Sequence, residues 1–92
     1  MFYVYIIYSE KSSDFYIGLT DELKQRIRRH NSGYVKSTKP YLPWKLVFYS
    51  AFENEKIAER FEKYLKTGSG RSFAYRRLLD SVALKKDKVA RN

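Results

Sequence analysis

Phe2 to Ser9 reads FYVYIIYS, an unbroken apolar and aromatic run whose β-branched content predicts a strand buried on both faces. Glu10 to Asp14 is polar and turn-forming, and Phe15 to Thr20 (FYIGLT) predicts a second strand. So short a connection predicts an antiparallel hairpin. Leu23, Ile27 and His30 then recur at helical spacing, with Thr20 or Asp21 expected as the cap and Asn31-Ser32-Gly33 as the stop. On that helix Arg26 borders the apolar face, and Lys24, Arg28 and Arg29 point away from it. Residues 31 to 43 hold two prolines and a glycine and predict a long connection without regular structure. Pro43 to Phe52 predicts a third strand. Asn54 is expected to cap a second helix with an apolar stripe of Ile57, Ala58, Phe61, Tyr64 and Leu65, bordered by Glu62. Gly68 is expected as its C-cap, Ser69-Gly70 as a break, and a third helix from about Ser72 to Leu79. The order β-β-α-β-α-α predicts an α+β fold, a small antiparallel sheet flanked by helices.

Ninety-two residues make a single domain, expected over residues 1–79, with a basic tail over 80–92. A hydrophobic content of 43% supports a globular chain, and the lack of cysteine excludes disulfides and thiolate metal sites. The N-terminus enters an apolar run without a charged segment before it, so no signal peptide is expected. No apolar stretch reaches the roughly 18–20 residues of a membrane span, which makes the cytoplasm the expected location.

Charge narrows the partners. The net charge is +9, and Leu23 to Phe52 carries seven basic residues and no acidic one. A small basic domain of this kind favours a polyanion, with a soluble basic protein lacking any anionic ligand as the plain alternative.

The chemistry-bearing residues are Tyr5, Tyr16, Arg26, His30 and Glu62, with Gly18 inside the second strand. Singly, each has an ordinary explanation. Buried strand tyrosines are usually core, and there are nine in the chain. A strand glycine marks a bulge or a close approach. A histidine at a helix end favours the dipole, and Glu62 can pair with Lys66. Together they suit phosphodiester hydrolysis. Arg26 clamps a phosphate, Glu62 holds Mg²⁺ or Mn²⁺ with waters and substrate oxygens, and a tyrosine or His30 takes a proton. A free phenol, with a pKa of about 10, needs a neighbouring cation for that task.

Tyr3-Val4-Tyr5, then Tyr16-Ile17-Gly18, Leu23-Lys24-Gln25-Arg26, His30 and Ala58-Glu59-Arg60-Phe61-Glu62, in this order and spacing, resemble the GIY-YIG nuclease superfamily. Asn31-Ser32-Gly33, Lys36-Ser37-Thr38-Lys39, Pro43-Trp44-Lys45-Leu46-Val47 and the Tyr64–Arg71 segment resemble its small stand-alone members, related to the nuclease domain of the bacterial excinuclease. The resemblance covers about residues 2 to 79. It implies a three-stranded antiparallel sheet and a metal-dependent DNA endonuclease, structure-specific or repair-related. It also implies Tyr5 and Tyr16 as paired site tyrosines, with Tyr16 as proton acceptor. Arg26 becomes the phosphate-stabilising group, His30 an assisting acid or base, Glu62 the metal ligand, and Gly18 the point of close approach. The chain departs from the pattern at Tyr3, which replaces a glycine, and at Leu19, where some members carry a lysine. It also lacks the asparagine that several carry downstream of the metal carboxylate. These departures keep a second reading open, a nucleic-acid-binding module with weak or no cleavage.

For the grip on DNA, with RNA as an alternative, the candidates are Arg28, Arg29, Lys36, Lys39, Trp44 and Arg71. Bases and aromatics interleave in the 31–43 loop, which suits backbone contact plus base stacking. Gly68-Ser69-Gly70-Arg71 is either a phosphate nest or a helix cap, and without a Lys-Ser/Thr ending it implies no nucleotide cofactor.

Overall fold

The computed structural model describes residues 1–79; the basic tail expected over 80–92 lies outside the described residues. Strand β1 (Phe2–Ser9) pairs antiparallel with β2 (Asp14–Thr20) on one side and with β3 (Trp44–Phe52) on the other, giving the order β2-β1-β3. Helix α1 (Leu23–Asn31) joins β2 to the 31–43 connection; α2 (Glu55–Leu65) and α3 (Gly68–Arg77) follow β3. The architecture is the expected α+β one, and the unbroken apolar run of β1 is explained by its central place. Val4 to Ser9 are all buried, because both edges carry a neighbouring strand and both faces carry helices.

The pleat divides those residues between two cores. Val4, Ile6 and Tyr8 face Ala58, Leu65 and Ala74 of α2 and α3. Tyr5 and Ile7 face the opposite way, toward Leu23 and Ile27 of α1, with Trp44 beside them. A bulge in β3 adjusts this division. Ile6 pairs with Phe48 but Ile7 with Leu46, so Val47 is an extra residue. Val47 and Phe48 therefore both pack on the α2 face, while Leu46 packs on the α1 face.

Several local expectations shift. Glu22, not Thr20 or Asp21, is the residue before α1, and it makes no side-chain cap; the Thr20 hydroxyl instead accepts from the Glu22 amide at 3.1 Å. The 31–43 connection contains one 3₁₀ turn, Lys39–Tyr41, where Pro40 fits because the first turn needs no amide donor. On α2 the buried face is Ala58 and Leu65 with Phe61 against it, whereas Ile57 and Tyr64 are exposed. Asn54 caps α2 as expected, its side chain accepting from the Ile57 amide at 3.1 Å. Gly68 is not a C-cap. Helix α2 ends at Leu65 with Lys66 as its C-cap, and Thr67 caps α3 by accepting from the Gly70 amide at 3.0 Å, so α3 begins four residues earlier than expected. Gly70 is required there by contact. A Cβ on it would lie 1.7 Å from the Tyr64 carbonyl oxygen, so the two helices close on bare backbone.

Candidate active site

The site is built around Tyr5. Its position on the α1 face of the central strand buries the whole residue, yet its hydroxyl needs partners in a dry place. Three features supply them. Gly18 is the cross-strand partner of Tyr5, and a Cβ there would lie 2.3 Å from the phenol oxygen. The glycine thus lets the Tyr5 ring lie across β2. The close approach expected at Gly18 is made by the Tyr5 ring. From α1, His30 Nε2 lies 2.9 Å from the Tyr5 oxygen, and its Nδ1 lies 2.9 Å from the Thr38 hydroxyl in the 31–43 loop. The Arg26 guanidinium, one helical turn before His30, is electrostatically coupled to the Tyr5 and Tyr16 phenols.

Electrostatics agree with this geometry. Burial pushes the Tyr5 phenol above its ordinary value; the Arg26 hydrogen bond opposes the rise, and the neighbouring Tyr16 oxygen and Glu62 carboxylate add to it. Arg26 is held more firmly in its charged form, chiefly by its hydrogen bond to Tyr5. Burial, with the Arg26 charge next to it, lowers His30 to about 4, so its imidazole is neutral at pH 7. Tyr16 is only partly buried, its ring centroid 5.0 Å from that of His30 and 6.5 Å from that of Tyr5.

Tyr5, Tyr16, Arg26 and His30 are therefore in one cluster, and Glu62, on α2, exerts only a weak electrostatic effect on Tyr5. Arg26 lines a cleft of about 500 Å³ with Leu19, Thr20, Gln25, Arg29 and Glu55. Tyr16 lines a second cleft of about 290 Å³ with Ser12, Ser37, Thr38, Tyr41 and Trp44. Glu62 pairs with Lys66 at 3.2 Å, the ordinary i,i+4 contact. Such a pair contributes only about 0.3–0.5 kcal/mol, so it is a weak competitor for a divalent cation.

Two expectations need correction. His30 has no exposed surface and both ring nitrogens are engaged by protein, so it cannot reach a substrate as acid or base. It stands behind Tyr5. Trp44 is not a stacking platform. It is buried, packs with Tyr5 and Ile7, and donates its indole N–H to the Thr38 carbonyl at 2.9 Å. The other basic candidates are exposed: Arg28, Arg29, Lys36, Lys39 and Arg71. Arg29 also lies over the Tyr34 ring, 5.4 Å from its centroid. The Gly68–Arg71 segment is the first turn of α3, not a nest.

Two further contributors fall in segments the resemblance includes, but it assigns neither a role. Asn31 acts as a piece of backbone, accepting from the Trp44 amide at 2.6 Å and donating to the Trp44 carbonyl at 2.9 Å. It ties the end of α1 to the start of β3. Thr38, 1% exposed, ends the Tyr5–His30 chain. Both read as ordinary turn residues, because nothing local announces a partner 13 or 8 residues away.

The chain is similar to proteins that share these features. A family model described as the GIY-YIG catalytic domain matches residues 1–76. A UPF0213 protein of Clostridium perfringens is 42% identical over 67 residues, 72% of this chain and 71% of that protein. One from Pediococcus acidilactici is 38% identical over 72 residues, 74% of this chain and 71% of its own length. The solution structure of a UPF0213 protein from Bacillus halodurans superposes with a TM-score of 0.57 at 28% identity, covering 92% of this chain and 94% of that one. The match runs from the first tyrosine motif through β3, α2 and nearly all of α3, and so takes in every residue of the cluster around Tyr5. The chain belongs to the GIY-YIG catalytic domain family, a nuclease-type fold, among its small stand-alone UPF0213 proteins.

Proposed function

We propose that the protein is a metal-dependent endonuclease that hydrolyses phosphodiester bonds of DNA, acting on structured or damaged DNA of the kind met in repair. The observation that carries this reading is the shared guanidinium. Arg26 is coupled electrostatically to both phenols, beside a Tyr5 oxygen that His30 Nε2 fixes at 2.9 Å, and Glu62 adds a weaker effect at Tyr5. An arginine held in place by two phenols is pre-organised to take a phosphate without rearranging.

The donor set suits a hard divalent ion. Among the described residues no three of His, Cys, Asp or Glu lie close enough to form a metal cage. Glu62 is the carboxylate that acts electrostatically on Tyr5, and one carboxylate plus substrate oxygens and waters is an arrangement that holds Mg²⁺ or Mn²⁺. Such an ion supplies charge neutralisation at the scissile phosphate. The chain's own residues do the rest. Arg26 binds a phosphoryl oxygen and meets the charge that develops on it. Tyr16, the more open phenol, accepts the proton of the attacking water, with Arg26 next to its oxygen to balance the resulting charge. Tyr5 is too enclosed for that role and holds Arg26 in position. The exposed Lys24, Arg28, Arg29, Lys36 and Lys39 attract the backbone without reading sequence.

The test is cleavage of single-stranded, nicked, flapped and branched DNA, with a matched RNA set, in Mg²⁺ or Mn²⁺. Metal-dependent products that vanish in Glu62→Gln and Arg26→Ala are expected. Binding across the whole panel without products would overturn the enzyme reading in favour of a nucleic-acid-binding module on the same fold.

A further inference from the structure

The hydrogen bonds at the site form a single file. Tyr5 contacts His30 Nε2 at 2.9 Å, and His30 Nδ1 contacts the Thr38 hydroxyl at 2.9 Å, with the Arg26 guanidinium electrostatically coupled to the Tyr5 oxygen at the head of the file. The Thr38 hydroxyl reaches the Val35 carbonyl at 3.3 Å. Tyr5, His30 and Thr38 are each at most 1% exposed, so bulk water cannot substitute at any link.

The two ends of this file are chemically one-way. A guanidinium has only donors, and a carbonyl oxygen only accepts. Between them, a neutral imidazole has one donor nitrogen and one acceptor nitrogen. If Thr38 donates to Val35, its oxygen is left to accept from Nδ1–H. Nε2 is then the bare nitrogen, and it accepts the Tyr5 hydroxyl proton. The Tyr5 oxygen is left with lone pairs alone to offer Arg26. The opposite polarity would put the proton on Nε2 and turn the Tyr5 hydrogen outward, toward the donor-only guanidinium. It would also forfeit the Thr38–Val35 bond.

Thr38 is held to this task by its surroundings. Its amide donates to Val35 at 3.1 Å, and its carbonyl accepts from the Trp44 indole at 2.9 Å. Trp44 is in turn clamped by Asn31 at both its amide and its carbonyl. The backbone of Thr38 is thus held on both sides, and its side chain is aimed at His30.

We propose that Thr38 is a positioning residue that holds His30 in the Nδ1–H tautomer and so turns the Tyr5 oxygen lone pairs toward Arg26. The consequence for catalysis rests on the reading of Arg26 as the phosphate-binding group; the polarity of the file does not. The bland alternative is a buried histidine whose hydrogen bonds are merely satisfied, in either polarity.

His30 is the only histidine in the chain, so histidine labelled with ¹⁵N on the ring reports this imidazole alone. The free side chain in water favours the Nε2–H form, so the expected result is the reverse of the default. In the full-length protein at pH 7, the proton is expected on Nδ1, with Nε2 unprotonated. Thr38→Val keeps the shape but removes the acceptor, and the proton is expected to move to Nε2. Thr38→Ser restores the hydroxyl and with it the Nδ1–H form. Where the wild type cleaves DNA, Thr38→Val lowers kcat roughly ten- to a hundred-fold with KM little changed, and Thr38→Ser recovers most of it. An Nε2–H form in the wild type overturns the proposal, as does a tautomer unmoved by Thr38→Val. If Thr38→Val does not fold, the wild-type spectrum decides alone. If the wild type cuts no nucleic acid, the nuclease reading fails, and the spectrum still decides the polarity.

Discussion

At the scale of single residues, Tyr5 and its two supports can be probed separately. Gly18→Ala would place a methyl carbon 2.3 Å from the Tyr5 oxygen, which is held from its other side by His30 at 2.9 Å. We expect a loss of about 1–3 kcal/mol in chemical denaturation, together with displacement of Arg26 and lowered cleavage. His30 makes stability depend on pH. Its pKa is lowered from 6.5 to about 4 on folding, so the unfolded chain binds the extra proton first. Stability attributable to His30 is therefore fully present above pH 6.5 and declines as pH falls toward 4. The slope is at most about 1.4 kcal/mol per pH unit. Urea titrations between pH 7 and 4.5 should show this decline, and His30→Gln should flatten it. A wild-type profile as flat as that of the variant would mean that the imidazole is not held neutral by burial.

At the scale of elements, the junction of α2 and α3 and the clamp at β3 set the framework. Two glycines in α3 differ sharply. Gly70 sits where a Cβ would lie 1.7 Å from the Tyr64 carbonyl oxygen, whereas nothing lies within 4 Å of a Cβ on Gly68. Gly70→Ala should cost about 2–3 kcal/mol by forcing the helices apart. Gly68→Ala, at the first position of α3, should be neutral or gain up to about 1 kcal/mol by restricting the unfolded chain. Thermal or urea unfolding of the pair checks both, and equal losses would contradict the close contact. The other element-scale device is Asn31. Asn31→Ala leaves the Trp44 amide and carbonyl without these partners and should cost roughly 1–2 kcal/mol. Since Trp44 holds Thr38, the same variant should also loosen the Tyr5–His30 file, seen as faster exchange of the His30 ring proton.

At the scale of the whole molecule, charge governs association. A net +9 on 92 residues, with exposed cations on α1 and in the 31–43 loop, favours phosphate contacts over base reading. DNA affinity should fall linearly in a double-logarithmic plot against salt, and Arg28→Ala or Lys36→Ala should each lower the slope by about one. An affinity indifferent to salt would contradict this picture. No described helix is long and apolar enough to cross a membrane. The division between sequence and tertiary structure also belongs to this scale. Element types and order were legible, because burial imposes period two on strands and period 3.6 on helices wherever water lies on one side. Motif spacing singled out Tyr5, Tyr16, Arg26, His30 and Glu62, and the first four lie together around the Tyr5 phenol. Their roles were not legible. Whether His30 meets substrate or stands behind Tyr5, whether Trp44 stacks on bases or fills the core, and what crowds Gly18 all depend on contacts between distant segments. So do Asn31 and Thr38, small polar residues whose partners are chosen by packing. Periodicity is a local property that the chain carries in its sequence. The direction of a buried hydrogen bond is decided only when folding removes the water that would otherwise satisfy either end.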